Sequence, residues 1–100
     1  MAINGLETER DRADQFLLSQ NFPNPFNPET VIKYQIPTDS HVSLKVFDVL
    51  GNEVASLVDE MKEAGNHEIH WKGNNVPSGV YFYQISAGDY KNVKKMMLQK

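Results

Sequence analysis

"VYFYQIS", residues 80–86, is the stretch that decides the fold. It is rich in aromatic and β-branched side chains, which fit a pleated, half-buried surface better than any other element. It is the strongest strand in the chain. Its borders punctuate it: "GNNVPSG" (73–79) precedes it as a loop and "AGD" (87–89) follows as a hairpin turn. Beyond that turn, "YKNVKKMMLQK" (90–100) closes the chain as a further strand.

The same rhythm runs backwards from this stretch. "HEIHW" (67–71) sets Ile69 and Trp71 on one face, "EVASLV" (53–58) is a strand, and "LGN" (50–52) is a tight turn in which Gly51 and Asn52 tolerate positive φ. "HVSLKVFDV" (41–49) turns Val42, Leu44 and Val46 inward and Ser43 and Lys45 outward. "TVIKYQI" (30–36) places Ile32, Tyr34 and Ile36 on one face, and Pro37 ends it. "FLLSQNF" (16–22) is the first strand. "DEMKEAG" (59–65) is a polar connection with room for one helical turn before Gly65. Short alternating runs broken every eight to twelve positions signal an all-β sandwich or barrel. About seven strands is an immunoglobulin-like count, so the expected fold is an antiparallel β-sandwich. Its core draws on Trp71 at the centre, on Tyr81, Phe82 and Tyr83, and on the aliphatic rows.

One hundred residues make one domain. Residues 1–15 are charged, poor in large apolar side chains and without the apolar centre of a secretory signal peptide; they read as a linker or cloning remnant, with a short helical turn at 8–15. The domain proper is 16–100. With 40% hydrophobic and 23% charged residues the composition is that of an ordinary globular domain, and no apolar run is long enough to span a bilayer. A formal charge of −3 exerts no general pull on nucleic acid or anionic lipid. Without cysteine there is no disulfide, zinc-thiolate site or thiol nucleophile.

Candidate chemistry is sparse. His67 and His70 stand three apart on a strand, point to opposite sides and cannot grip one metal, so both read as solvated, as does His41. Asp59, Glu60 and Glu63 form a solvated cluster with nothing apolar around them to raise a pKa. Ser78 lacks the pattern of a nucleophile elbow and serves a turn. Asn24, Asn27 and Asp48 are hard oxygen ligands suited to calcium, but no calcium-binding repeat accompanies them. No cofactor, metal or catalytic residue is assigned. A sugar-binding face would need aromatics in a row, and Phe47, Phe82 and Tyr90 fall on separate strands.

Two features remain. "NFPNPFNPET" (21–30) contains Pro23, Pro25 and Pro28, which cannot donate to a ladder, and pushes Phe22, Asn24 and Asn27 towards extended geometry. With Asn24 and Asn27 as Asx turns and Phe26 as a plug, it reads as a rigid corner carrying the chain from one sheet to the other. At the other end, Met96 and Leu98 pack inward while Lys95 and Gln99 face out. Lys94 and Lys100 share the inward parity but can snorkel to solvent. Lys94, Lys95, Gln99 and Lys100 then form a charged tip available to a partner.

"NFPNPFNPET", "IKYQIP", "VSLKVFDVLGNEV", "HEIHWKGNNVPSGVYFYQI" and "KKMMLQK" together resemble the carboxyl-terminal sorting domain of the type IX secretion system. The resemblance covers about residues 17–100 and keeps the order of every element. Its structural motif residues are Pro23, Asn24, Pro25, Phe26, Asn27, Pro28, Trp71, Gly79 and Tyr81. A flagellar hook-capping immunoglobulin-like domain shares parts of the pattern but has a longer loop between the tryptophan and "SG". Lys72 departs from the family, which often has aspartate there. The resemblance implies an immunoglobulin-like, non-catalytic export module, and a monomer is expected. Its partners would be an upstream cargo domain, the outer-membrane secretion machinery and a surface sortase, not nucleic acid. The cargo would pass through the periplasm and outer membrane to the cell surface or medium. The competing reading is a structural or carbohydrate- or protein-binding immunoglobulin-like module.

Overall fold

The computed structural model describes residues 15–100, so the linker and its helical turn fall almost entirely outside the described residues. Seven strands follow in order: β1 (Leu17–Leu18), β2 (Glu29–Ile36), β3 (Ser40–Phe47), β4 (Glu53–Lys62), β5 (Gly65–Lys72), β6 (Gly79–Ala87) and β7 (Tyr90–Leu98). They form a three-stranded sheet, β1-β2-β5, and a four-stranded sheet, β4-β3-β6-β7, and every ladder is antiparallel. The chain crosses between sheets after β2, β4 and β5. This is the all-β sandwich that the alternation predicts. In the constant-type immunoglobulin arrangement the fourth strand lies on the first sheet. Here β4 pairs with β3 instead, from Ser40↔Lys62 to Phe47↔Glu53.

The register fills the core row by row. Ile32, Tyr34 and Ile36 from β2 face Val42, Leu44 and Val46 from β3, with Tyr83 and Ile85 from β6 and Met96 and Leu98 from β7. Burying a large apolar side chain stabilises by about 1.5–3 kcal/mol, so these rows supply the main driving force for the fold.

Four readings need correction. The polar "DEMKEAG" holds no helical turn: β4 continues to Lys62, and only Val58 within it is buried. An edge strand with so little inward surface can be polar and still be strand, because β3 satisfies its backbone. The first strand is two residues long, followed by an isolated Phe22↔Val31 bridge. Trp71 is buried, but it lies opposite Thr30 at the end of the β2–β5 ladder rather than at the centre. It packs between Phe26 (ring centroids 5.8 Å apart) and Tyr81 (6.0 Å). Phe82 is only half-buried, because its neighbours Tyr81 and Tyr83 take the inward positions of β6 and strand parity turns it outward.

Candidate functional site

The proline stretch and the last strand meet at one end of the sandwich. β1 and β2 belong to the same sheet, so "PNPFNP" does not hand the chain from one sheet to the other. It swings out, touches the open edge of β7 and returns. Phe26 is the plug, 1% exposed, and forms an isolated parallel bridge with Leu98. Its amide donates to the Met97 carbonyl (3.0 Å) and its carbonyl accepts from the Gln99 amide (2.9 Å). Asn24 makes no local Asx turn with its side chain: Oδ1 accepts the Met97 amide at 3.0 Å. Gln20 Nε2 donates to the Lys95 carbonyl at 2.8 Å, and Phe16 stacks on Tyr90 with centroids 5.0 Å apart. Residues 16–26 therefore touch β7 at Tyr90 and cover its edge from Lys95 to Gln99, which a terminal strand would otherwise present for pairing.

Inside the loop a polar network holds its shape. Pro23 O accepts from Asn21 Nδ2 (3.1 Å) and Thr30 Oγ1 (2.9 Å), and Asn21 Nδ2 also donates to Thr30 Oγ1 (3.0 Å). Tyr83 joins β6 to this entry segment: its hydroxyl donates to Ser19 O at 2.6 Å and accepts from the Asn21 amide at 2.8 Å. Burial pushes this hydroxyl up to about 12, with the Asn21 amide drawing it back only in part. Pro25 and Asn27 are exposed on the outer turn of the loop, and Pro28 O accepts from the Gly73 amide at 2.8 Å. A Cβ at Gly73 would stand 2.8 Å from Leu98 Cδ2, so glycine allows this close approach.

Tyr81 Oη donates to Pro77 O, four residues upstream, at 2.6 Å. A tyrosine near the start of the sixth strand bonding back to the preceding corner is the tyrosine corner of immunoglobulin-like sandwiches. Gly79 opens β6 opposite Leu98. Asn21, Thr30, Gln20 and Tyr83 are the site residues that sequence reasoning missed. Thr30 carries a usable signal, since it shares parity with Ile32 and Tyr34, as Tyr83 does with Tyr81 and Ile85; Asn21 bonds locally to Pro23 O, and Gln20 reaches Lys95 only across the fold.

The charged tip is less open than its sequence implies. Lys95 and Gln99 are exposed, and Lys94 is half-buried on the inward parity. Lys100 is tied down: its amide donates to Ser78 Oγ (3.0 Å) and its Nζ to Asn74 O (2.9 Å). Ser78 thus holds the carboxyl end. Lys72 is exposed opposite Glu29.

The histidines do not converge. His67 is not solvated, as its sequence suggests, but half-buried on the inward parity, stacked on Tyr34 (5.2 Å) with Nε2 2.7 Å from Glu63 O. His70 is exposed, with Glu29 and Glu68 on different ring nitrogens, and His41 lies 3.0 Å from Asp59. Among the described residues no three His, Cys, Asp or Glu side chains are grouped to hold a metal ion. No helix among them is long and apolar enough to cross a membrane.

The family model described as a secretion system C-terminal sorting domain matches residues 20–99, from the proline loop to the last strand. The chain belongs to this sorting-domain family. A solved structure similar to the sorting domain is PorZ, an essential bacterial surface component of the type-IX secretion system of Porphyromonas gingivalis. It matches with a TM-score of 0.57 at 18% identity, over 87% of this chain and 12% of that one, a likeness of fold. No curated protein matches the chain. As a member of its family, the sorting domain is a carboxyl-terminal signal of the type IX system. It addresses a cargo protein to that machinery and so through the outer membrane.

Proposed function

We propose that the sorting domain acts as a folded, non-catalytic and monomeric export signal spanning residues 16–100. The secretion machinery reads its carboxyl-terminal end, and a surface sortase then removes it, leaving the cargo at the cell surface or in the medium. The observation that carries this reading is the family match over residues 20–99. The site geometry supports it. The last strand is pinned on both sides, to β6 by its ladder and to residues 20–26 by four hydrogen bonds, so the signal is a fixed surface. On that surface Lys95 and Gln99 are exposed, Lys94 is half-buried on the inward parity, and Lys100 closes the end; these four form the recognition tip. Among the described residues, no convergent set of polar groups near them resembles a catalytic centre.

The test fuses the whole chain to a reporter in a host that carries type IX secretion. The intact domain exports the reporter; failure to do so overturns the sorting role in this chain. Replacing Lys95, Gln99 and Lys100 by serine keeps the fold and lowers export. Undiminished export by that folded variant removes the tip as the recognition element. Catalytic independence is checked by the cargo, whose activity is the same with and without the domain.

A further inference from the structure

Strand parity that fills the core also decides what the outer face of the four-stranded sheet carries, and that face is not uniformly polar. Phe47 of β3 and Phe82 of β6 lie directly opposite each other on it, both half-buried, so the two phenylalanines form a cross-strand pair. Lys95 follows across β7, and the next row towards the chain end pairs Val80 with Met97, which is 38% exposed. Beyond β3 the hairpin tip holds Val49 and Leu50 at 66% and 83% exposure. The Asp48 carboxylate fixes this tip by accepting the Leu50 and Asn52 amides, each at 2.9 Å. Apolar side chains gathered on one exposed face mark contact sites in soluble domains.

Beside the phenylalanine pair the same face dips into a shallow cup of about 210 Å³, lined by Ser43, Lys45, Phe47, Gln84, Ser86 and Lys91. Two ammonium groups and two hydroxyls therefore surround a hollow next to an aromatic wall. Lys45 is paired only across a half-exposed 3.4 Å contact with Glu53, and Lys91 makes no ion pair among the described residues. Lysines on a terminal strand often guard it against edge pairing. At Lys95 residues 16–26 already cover that edge, so this duty does not account for Lys95. Lys45, Lys91 and Lys95 outnumber the two carboxylates on the same face, Glu53 opposite Phe47 and Asp59 opposite Ser43, so the cluster is a local positive feature.

We propose that the outer face of β3, β6 and β7 docks a protein segment in which an apolar side chain lies close to a carboxylate. The apolar group rests on Phe47, Phe82 and Met97. The carboxylate enters the cup, where Lys45 and Lys91 match its charge and Ser43 and Ser86 donate hydrogen bonds. Rows on a sheet face are about 7 Å apart, so an extended segment with the two groups two to four residues apart spans both subsites. The proposal rests on the sorting role, since the segment belongs to the export machinery.

Two variants of the full chain test it, F47T/F82T and K45Q/K91Q, with E68Q on the other sheet as control. All sites are on outer faces, and threonine and glutamine leave the inward rows untouched; if the phenylalanine variant unfolds, the lysine variant carries the test. In solution, 8-anilinonaphthalene-1-sulfonate, an aromatic ring bearing an anion, binds the parent and E68Q alike and binds both face variants at least fivefold more weakly. In the secreting host, reporter export by both face variants falls tenfold or more while E68Q exports normally. If the intact chain exports and the folded face variants export equally well, docking at this face is refuted and the sorting role stands. If the intact chain fails to export, both fall. A parent that is dimeric by sedimentation and made monomeric by the substitutions gives the face to a second copy and overturns the proposal. Binding of the parent, but not the variants, to phosphatidylglycerol vesicles gives it to lipid and overturns it too.

Discussion

Tyr83 concentrates at one residue what holds the entry segment to the core. Its ring is fully buried, and its hydroxyl serves both Ser19 O and the Asn21 amide. Tyr83→Phe unpairs the buried Asn21 amide and the half-buried Ser19 carbonyl, and a denaturant melt at pH 7 records a loss of about 1–3 kcal/mol. The pH dependence has a definite sign. The folded hydroxyl is raised by burial from 10.0 to about 12, so the folded state holds this proton more tightly than the unfolded chain. The contribution is complete below pH 10 and is lost as pH rises from 10 towards 12. Stability of the parent therefore falls more steeply across that window than stability of the Tyr83→Phe variant. Burial raises the Tyr34 and Tyr81 hydroxyls in the same direction, so the variant keeps a residual slope. Trp71 offers a second check. Wedged between Phe26 and Tyr81, it costs about 3–5 kcal/mol on truncation to alanine by the same melt. Its burial follows from parity with Ile69, but its place at the end of the sandwich does not, because parity assigns a face and not a row.

The proline loop is the element that sequence reading and structure describe most differently. Its stiffness and its Phe26 plug are local properties and are visible in "NPFNP". Its destination is not, because the Asn24–Met97 bond joins residues 73 positions apart and no local pattern encodes it. Asn24→Ala removes the acceptor of the Met97 amide, which costs about 0.5–1.5 kcal/mol. Hydrogen exchange at Met97 accelerates, while amides inside the β6–β7 ladder keep their protection; equal acceleration at both would mean that the whole strand had loosened. β4 teaches a related lesson. Its run "DEMK" is polar because an edge strand with one buried residue needs no inward row, and polarity alone cannot separate such a strand from a loop. The inner strands β2, β3 and β6 were legible because each must fill a core row, which forces period two. The outer face of the larger sheet was half legible: Phe47 and Phe82 are visible as candidates on separate strands, but only the register sets them side by side.

At the scale of the whole molecule the two ends of the domain hold each other. Residues 16–26 hold the end of β7 from Lys95 to Gln99, and β7 supplies Met96 and Leu98 to the core, each 1% exposed. Removing Gln99 and Lys100 deletes three hydrogen bonds at the surface and no buried side chain. The expected loss is about 1–3 kcal/mol with the circular dichroism spectrum retained. Removing Met96 to Lys100 also deletes two core side chains, at about 2–5 kcal/mol each, and strips Phe26 and Asn24 of their partners. Against a total of about 5–15 kcal/mol for a domain, that loss is enough to unfold it. The five-residue truncation should therefore give an unfolded spectrum and no cooperative melt, and it should abolish export whether or not the tip is recognised. The two-residue truncation separates these causes, because it removes part of the tip from a folded domain. Lost export with a retained melt assigns recognition to the last two residues. Export at the parental level leaves Lys94, and Lys95 with the outer face it adjoins, as the surface that the machinery reads.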